Sequence, residues 1–438
     1  MKGLKKMKRL FFIIVGVICS LSVQAQLTLE ECQALARENY PLIRQHGLIE
    51  QTANYSVANA MKAYLPQVSF AAQATYQSDV AAFPDQMLMM YQQIGLDMKG
   101  LNKDQYRMAL EVNQTVWDGG YTRARVESIK AESAVAAQSV ETELYTVRER
   151  VHRLYFGVLI LNEQLLQNKI LQELLQSNYL LVDAYIKNGV AAPGDLHAIR
   201  AEQLTASQQS IQIESVAVAY RNMLSEMIGR KIDETVVFRK PFAASYSESV
   251  VNQLNHRPEW RLFDVQSAQF DAQKQSIIAS TKPRLGLFAQ GFYGNPGLNL
   301  FKDMTEGGWT WNYIAGIRLQ WNFGSFYTKK GDLQKLTLAS QQVDNRREVF
   351  RYNNGLQQIQ QHHAIEKMRK MMTDDDEIIR LRTAIRLSSE AKYANGTITV
   401  NDLLKDITSE NQALLAKALH ELDWLMNIYE LKFITNNE

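Results

Sequence analysis

Three clusters in this 438-residue chain hold side chains able to do chemistry. "HHAIE" places His362 and Glu366 four residues apart on one helix face, a spacing used by metal ligands. No further His or Cys completes the set, so a solvated helix face is the plainer reading. "DDDE", residues 374–377, would line a water-filled passage or form an exposed acidic face. Met87, Met89, Met90 and Met98 carry thioethers of the kind that bind Cu(I). Ordinary loop packing accounts for them more simply. No nucleophile–His–acid set, phosphate loop or dinucleotide fingerprint is present. The sequence therefore predicts no enzyme, no cofactor and no metal centre.

The elements around these clusters are long. Only 22 Gly and 8 Pro predict few turns. Hydrophobic residues make up 46%, which excludes wholesale disorder. Residues 1–25 form a basic start (Lys2, Lys5, Lys6, Lys8, Arg9), an apolar run and a small-residue cleavage site after Ala25, a secretory signal peptide. Cys19 would suggest lipidation, but Gly16, Val17 and Ile18 fit that pattern poorly. The full chain has 48 basic and 46 acidic residues; cleavage leaves 43 against 46, net −3. Nothing in that balance points to nucleic acid. Cys32 alone remains, so no intramolecular disulfide is possible.

The chain repeats itself. "AMKAYLPQVSFAAQATY" (60–76) aligns with "IIASTKPRLGLFAQGFY" (277–293), each a helix end, a Pro and a strand. "NQTVWDGGYTRARVESIKAES" (113–133) aligns with "RLQWNFGSFYTKKGDLQKLTLAS" (318–340), each a strand end, a Gly and a helix. "IKNGVAAPGDLHAIRAEQ" (186–203) aligns with "YANGTITVNDLLKDITSE" (393–410), with Gly189 and Gly396 at the turns. The predicted organisation is a first repeat over 26–229 and a second over 258–438. The first has strands near 67–77 and 107–117, a long helix near 121–188 and a return helix near 195–228. The second has strands near 284–293 and 309–323, a long helix near 326–393 and a return helix near 399–434. Residues 230–257 connect them, with "VVFRKPF" as a short extra strand. Val140, Leu144, Val147, Val151, Leu154, Val158, Leu161 and Leu165 alternate spacings of four and three, a coiled-coil seam. Such a helix would run roughly 100 Å.

The strands alternate apolar with polar residues. Taken singly, each fits a soluble sandwich with one wet face. The last one tips the balance towards a membrane barrel wall. From Trp311 to Trp321 is ten residues, which at about 3.3 Å each and a tilt of about 40° spans roughly 25 Å, the apolar band between aromatic girdles. Trp309, Trp311, Tyr313, Trp321, Phe323, Tyr76 and Trp117 are then the lipid-facing girdle, and Arg318, Gln320, Arg107 and Glu111 face the lumen. Four strands cannot close a barrel, and open edges cannot sit in lipid. Either eight strands from two copies or twelve from three are required.

Together these features resemble the TolC family of outer-membrane efflux proteins. "LTLEECQALARENYPLI" is similar to that family's opening, "NHRPEWRLFDVQSAQFDAQ" to the opening of its second half, "VWDGG" to its strand-to-helix junction and "YANGTITVNDLL" to its helical turn. The resemblance implies a mainly α fold with a small β-barrel portion. Four strands per chain contribute to a shared 12-stranded barrel of a homotrimer, continuous with an α-helical coiled-coil tunnel. It implies the outer membrane of a Gram-negative bacterium, loops 78–105 and 295–308 outside, and a periplasmic tip at the two turns. It implies as partners outer-membrane lipid, a periplasmic adaptor (membrane fusion) protein and an inner-membrane pump of RND, ABC or MFS type. By the same resemblance Asp195 and Tyr393 occupy closing positions, and Asp402 an acidic-ring position. Ile398 stands where the family pattern has Arg, Gly194 where it has Thr, and Lys405 where it has a second Asp, so the closing contacts differ here. A helix-starting role explains Asp195 and Asp402 as well. The expected function is passive efflux of drugs or toxic compounds. The alternatives are a duct of type I protein secretion and a secreted coiled-coil scaffold that conducts nothing.

Overall fold

The computed structural model describes residues 26–242 and 255–436, except Asp97, Lys99, Val190 and Glu234. The signal sequence with Cys19 and much of the connector lie outside the described residues. In chain order the elements are β1 (Gln26–Leu27), α1 (Leu29–Asn39), α2 (Arg44–Met61), β2 (Gln67–Tyr76), α3 (Asp85–Gln93), β3 (Asp104–Trp117) and α4 (Tyr121–Lys187). They continue with α5 (Pro193–Ile228), β4 (Val237–Phe238), α6 (Pro258–Ser280), β5 (Arg284–Asn295), α7 (Leu300–Thr305), β6 (Thr310–Gln320), α8 (Ser325–Ala394) and α9 (Val400–Thr435). The order strand, loop, strand, long helix, turn, helix thus occurs twice. No helix among the described residues is long and apolar enough to cross a membrane.

The chain divides into two compact units. One holds residues 1–45, 139–260 and 348–438. Its largest core packs Leu27, Leu29, Cys32 and Ala36 against Val147, Val151, Tyr155 and Phe156 of α4 and Leu224 of α5. In the seam, Val140 to Val158 is buried while Leu161 and Leu165 are half-buried. β1 pairs in parallel with β4, Gln26 beside Val237 and Leu27 beside Phe238. The Tyr155 hydroxyl, 2.7 Å from the Leu27 carbonyl and 2.6 Å from that of Arg239, holds the two strands together. Burial pushes the Cys32 thiol up to about 12, ahead of the repulsion from Glu31, so it is an inert core group.

The other unit holds residues 46–138 and 261–347. Its sheet has the order β2-β3-β5-β6, antiparallel throughout. Its two outer strands, β2 and β6, each have one unpaired edge. β3 begins at Asp104 because Tyr76 pairs with it. β6 ends at Gln320, short of the predicted 323. There the Trp321 indole N–H donates to the Thr281 carbonyl at 3.1 Å and the Gly324 N–H donates to the Asn322 side chain at 3.0 Å, which turns the chain into α8. Trp309, Trp321 and Phe323 therefore flank the strand instead of lying within it.

Candidate functional site

The register sorts the sheet into two chemically distinct faces. Val68 pairs with Val112, Phe70 with Leu110, Met108 with Tyr293, Leu287 with Ile317, Leu285 with Leu319 and Tyr293 with Trp311. This face is apolar and exposed: Phe70 is 68%, Ile317 70%, Trp311 80% and Tyr313 83% accessible. A soluble sandwich would bury it. Aromatic residues gather at its two ends. Tyr293 lies 4.9 Å from Trp311 and 5.2 Å from Trp309, and Tyr106 lies 5.8 Å from Trp309. Tyr76 is exposed at the same end. At the other end Trp321 lies 4.7 Å from Phe323, and Trp117 is exposed beside Leu285. Tyr106 and Tyr293 belong with these residues, although only the strand register places them there.

The opposite face is polar. Arg107 donates from Nη2 to Gln290 at 2.7 Å, and its guanidinium lies 3.9 Å over the Phe292 ring. Arg318 lies 3.7 Å from the Glu111 carboxylate, 3.4 Å from the Asn113 amide oxygen and 4.4 Å over Phe288. Asn113 also donates to Glu111 at 2.9 Å. Gln320, exposed, pairs with Arg284 on this face. Phe288 and Phe292 break the sequence alternation because cations cover them, an arrangement that stabilises by about 0.5–2 kcal/mol each.

A second constellation lies at the two helical turns. Gly189 (φ 71°) and Gly396 (φ 67°) adopt the left-handed conformation that ends α4 and α8. The Gly396 N–H donates to the Tyr393 carbonyl at 2.9 Å and the Thr397 N–H to that of Lys392 at 3.0 Å. Tyr393 is buried with Leu175, Ile199 and Leu403, and its hydroxyl donates to Asp195 Oδ2 at 3.2 Å. Burial, then the Asp195 charge, pushes the Tyr393 phenol up to about 12. It thus stays protonated and able to donate. Asp195 is the third residue of α5, and its own N–H bonds back to the Ala192 carbonyl at 3.0 Å. Asp402 forms a capping box with Thr399: its carboxylate accepts the Thr399 N–H at 3.1 Å, and its N–H donates to the Thr399 hydroxyl at 3.3 Å. Those Thr399 bonds, with help from Lys405, hold the Asp402 carboxyl below its ordinary value. Lys405 is exposed one turn further on. Asp195 and Tyr393 are thus brought together, while Asp402 and Lys405 stay on the surface of their own helix.

The remaining clusters resolve differently from one another. Glu366 lies 3.6 Å from Arg369. Asp375 is buried with its carboxylate 2.9 Å from His420 Nδ1, Asp376 pairs with Lys417, and Glu377 meets Arg380 at 2.6 Å. The acidic run is therefore mostly spent on partners, one of them buried, instead of forming a bare acidic face. Met87, Met89 and Met90 are exposed on α3. A buried network unsuspected from the sequence joins α8 to α9: Arg386 pairs with Glu390 at 2.5 Å and with Glu410, and Ser389 donates to Asp406 at 2.5 Å. Glu390 lies one helical turn from Arg386, but Glu410 and Asp406 lie 24 and 17 residues from their partners, and the set matches no motif.

No curated relative matches the chain. Residues 33–230 match the outer membrane efflux protein family. Among solved structures, the outer membrane protein VceC of Vibrio cholerae is similar with a TM-score of 0.66 and 14% identity, covering 93% of this chain and 96% of its own. The CmeC outer membrane channel of Campylobacter jejuni gives 0.63 and 14%, covering 93% and 85%. The open-state MtrE outer membrane channel of Neisseria gonorrhoeae gives 0.61 and 16%, covering 93% and 89%. At these identities the structures establish the fold. Over residues 33–230 the chain is similar to the outer membrane efflux proteins, and the exposed apolar sheet fits that likeness.

Proposed function

We propose that three copies of this chain close a 12-stranded barrel and form the passive exit duct of a tripartite efflux system. The observation that carries this reading is the sheet: one face apolar and exposed, one polar, and two unpaired edges. Lipid covers the first face, water the second, and neighbouring copies the edges. A conduit needs no catalytic group, so energy comes from an inner-membrane pump of the RND, ABC or MFS type. A periplasmic adaptor protein joins pump and duct at the turns of Gly189 and Gly396. The Tyr393–Asp195 hydrogen bond fastens α8 to α5 behind those turns and serves closure. The family description names efflux, which favours small toxic compounds over secreted polypeptide as cargo. A non-conducting scaffold has no use for an exposed apolar sheet between aromatic ends. Purified protein added to a planar lipid bilayer should produce discrete conductance steps. A folded preparation that remains monomeric and gives none would overturn the proposal.

A further inference from the structure

The polar face of the sheet is not evenly charged. Arg107, Arg284 and Arg318 point to it, and Glu111 is the one carboxylate in its paired rows. Only Arg318 has that carboxylate within 4 Å, at 3.7 Å. Arg107 bonds to the neutral amide of Gln290, and its Nε is buried without an acceptor. Arg284 lies 4.8 Å over the Tyr121 ring with no carboxylate partner among the described residues. Arg284 pairs with Gln320 and Arg318 with Gly286, so the two arginines are diagonal neighbours on adjacent strands. Asp104, the first residue of β3, lies on the other face.

Barrel closure does not cancel this excess. The strand that meets β6 from the next copy is β2, whose polar face carries Gln67, Ser69, Gln73 and Thr75 and no carboxylate. Each chain therefore contributes three cations and one anion, a net of two positive charges, or six in a ring of three. Like charges lining a narrow aqueous passage with low-dielectric walls raise the local concentration of counter-ions. The guanidinium groups over Phe288 and Phe292 hold their planes fixed and keep N–H donors free for a carboxylate or sulfonate.

We propose that the barrel is an anion-selective stretch of the duct, with Arg107, Arg284 and Arg318 favouring chloride and small organic anions such as aromatic carboxylates over cations. This rests on the channel reading above. The test is the reversal potential of the full-length protein in planar bilayers under a potassium chloride gradient, then a potassium benzoate gradient. The anion-to-potassium permeability ratio should exceed one in both. It should fall by about twofold or more when all three arginines become Gln, and also in Ser69→Glu, which adds a carboxylate to the same face. Replacing all three by Lys should preserve it, and Glu111→Gln should preserve or raise it. Ser69→Glu, opposite Glu111 on the neighbouring strand, leaves all three arginines in the chain and keeps the test open if the triple Gln variant fails to fold. A cation-selective wild type, or a ratio unmoved by the Gln and Glu variants in conducting pores, overturns the proposal. A folded oligomer with no conductance refutes the channel reading itself.

Discussion

At the residue scale, two buried groups tie function and stability to pH in opposite directions. Burial and the Asp195 charge raise Tyr393 from 10.0 to about 12. A raised folded value means that the neutral phenol's contribution is complete below about pH 10 and is lost as pH climbs through 12. If the contact serves closure, conductance should rise between about pH 10 and 12 in the wild type and not in Tyr393→Phe. Replacing Asp195 and Tyr393 together should raise conductance at neutral pH, and unchanged single-channel records would remove both from the closing contacts. His152 behaves in the reverse sense. Its ring nitrogens are buried without hydrogen-bond partners, although Glu430 lies 3.5 Å away, and burial, then Arg153, holds it near 4. Because the folded value is depressed, stability is intact above about pH 6.5 and is lost as pH falls towards 4, by about 3 kcal/mol in all. His152→Leu should flatten the fall of the thermal midpoint over that window. An equally steep fall in the variant would place the acid sensitivity elsewhere.

At the element scale, the sheet makes the sharpest prediction because residues on its two faces have opposite fates. Ile317 is 70% exposed on the apolar face, and Ser69 lies on the polar face of the same sheet. Ile317→Lys should cost about 2–4 kcal/mol at the depth of the apolar band and impair assembly in outer membrane, while Ser69→Lys should be tolerated. Fractionation of detergent-extracted outer membrane measures both, and equal tolerance would mean that the apolar face does not meet lipid. This alternation was legible in the sequence because no tertiary packing overrides it: the apolar side chains of β2 and β6 stay exposed within the chain. The turn glycines Gly189 and Gly396 act locally too and could be picked out in the sequence, whereas the Thr399–Asp402 box emerges only in the structure. What the sequence concealed depends on partners distant along the chain. Phe288 and Phe292 look misplaced until Arg318 and Arg107 are found over them. The Arg386–Glu410 pair and the Asp375–His420 contact join helices whose facing residues no periodicity identifies. The Tyr393–Asp195 hydrogen bond joins residues 198 apart, a pairing that only the family resemblance suggested.

At the scale of the whole molecule, the number of copies follows from what the polar face must accommodate. Two chains would close eight strands, and an eight-stranded barrel has an interior just wide enough for side chains to fill. That interior would hold six arginines against two glutamates, together with four phenylalanines, in a space with little room for water. Each charge left buried without an acid would cost several kcal/mol, and the passage would be blocked. Three chains close twelve strands. Barrel diameter grows roughly in proportion to strand number, so the same side chains then line a ring of water that solvates the guanidinium groups and leaves a path. The electrostatics that forbid a dimer thus favour a trimer. Light scattering of the detergent-solubilised mature protein, corrected for bound detergent, should return the mass of three protomers. A stable two-copy assembly that still conducts would refute the argument, because it would require the arginine-rich face to be packed dry.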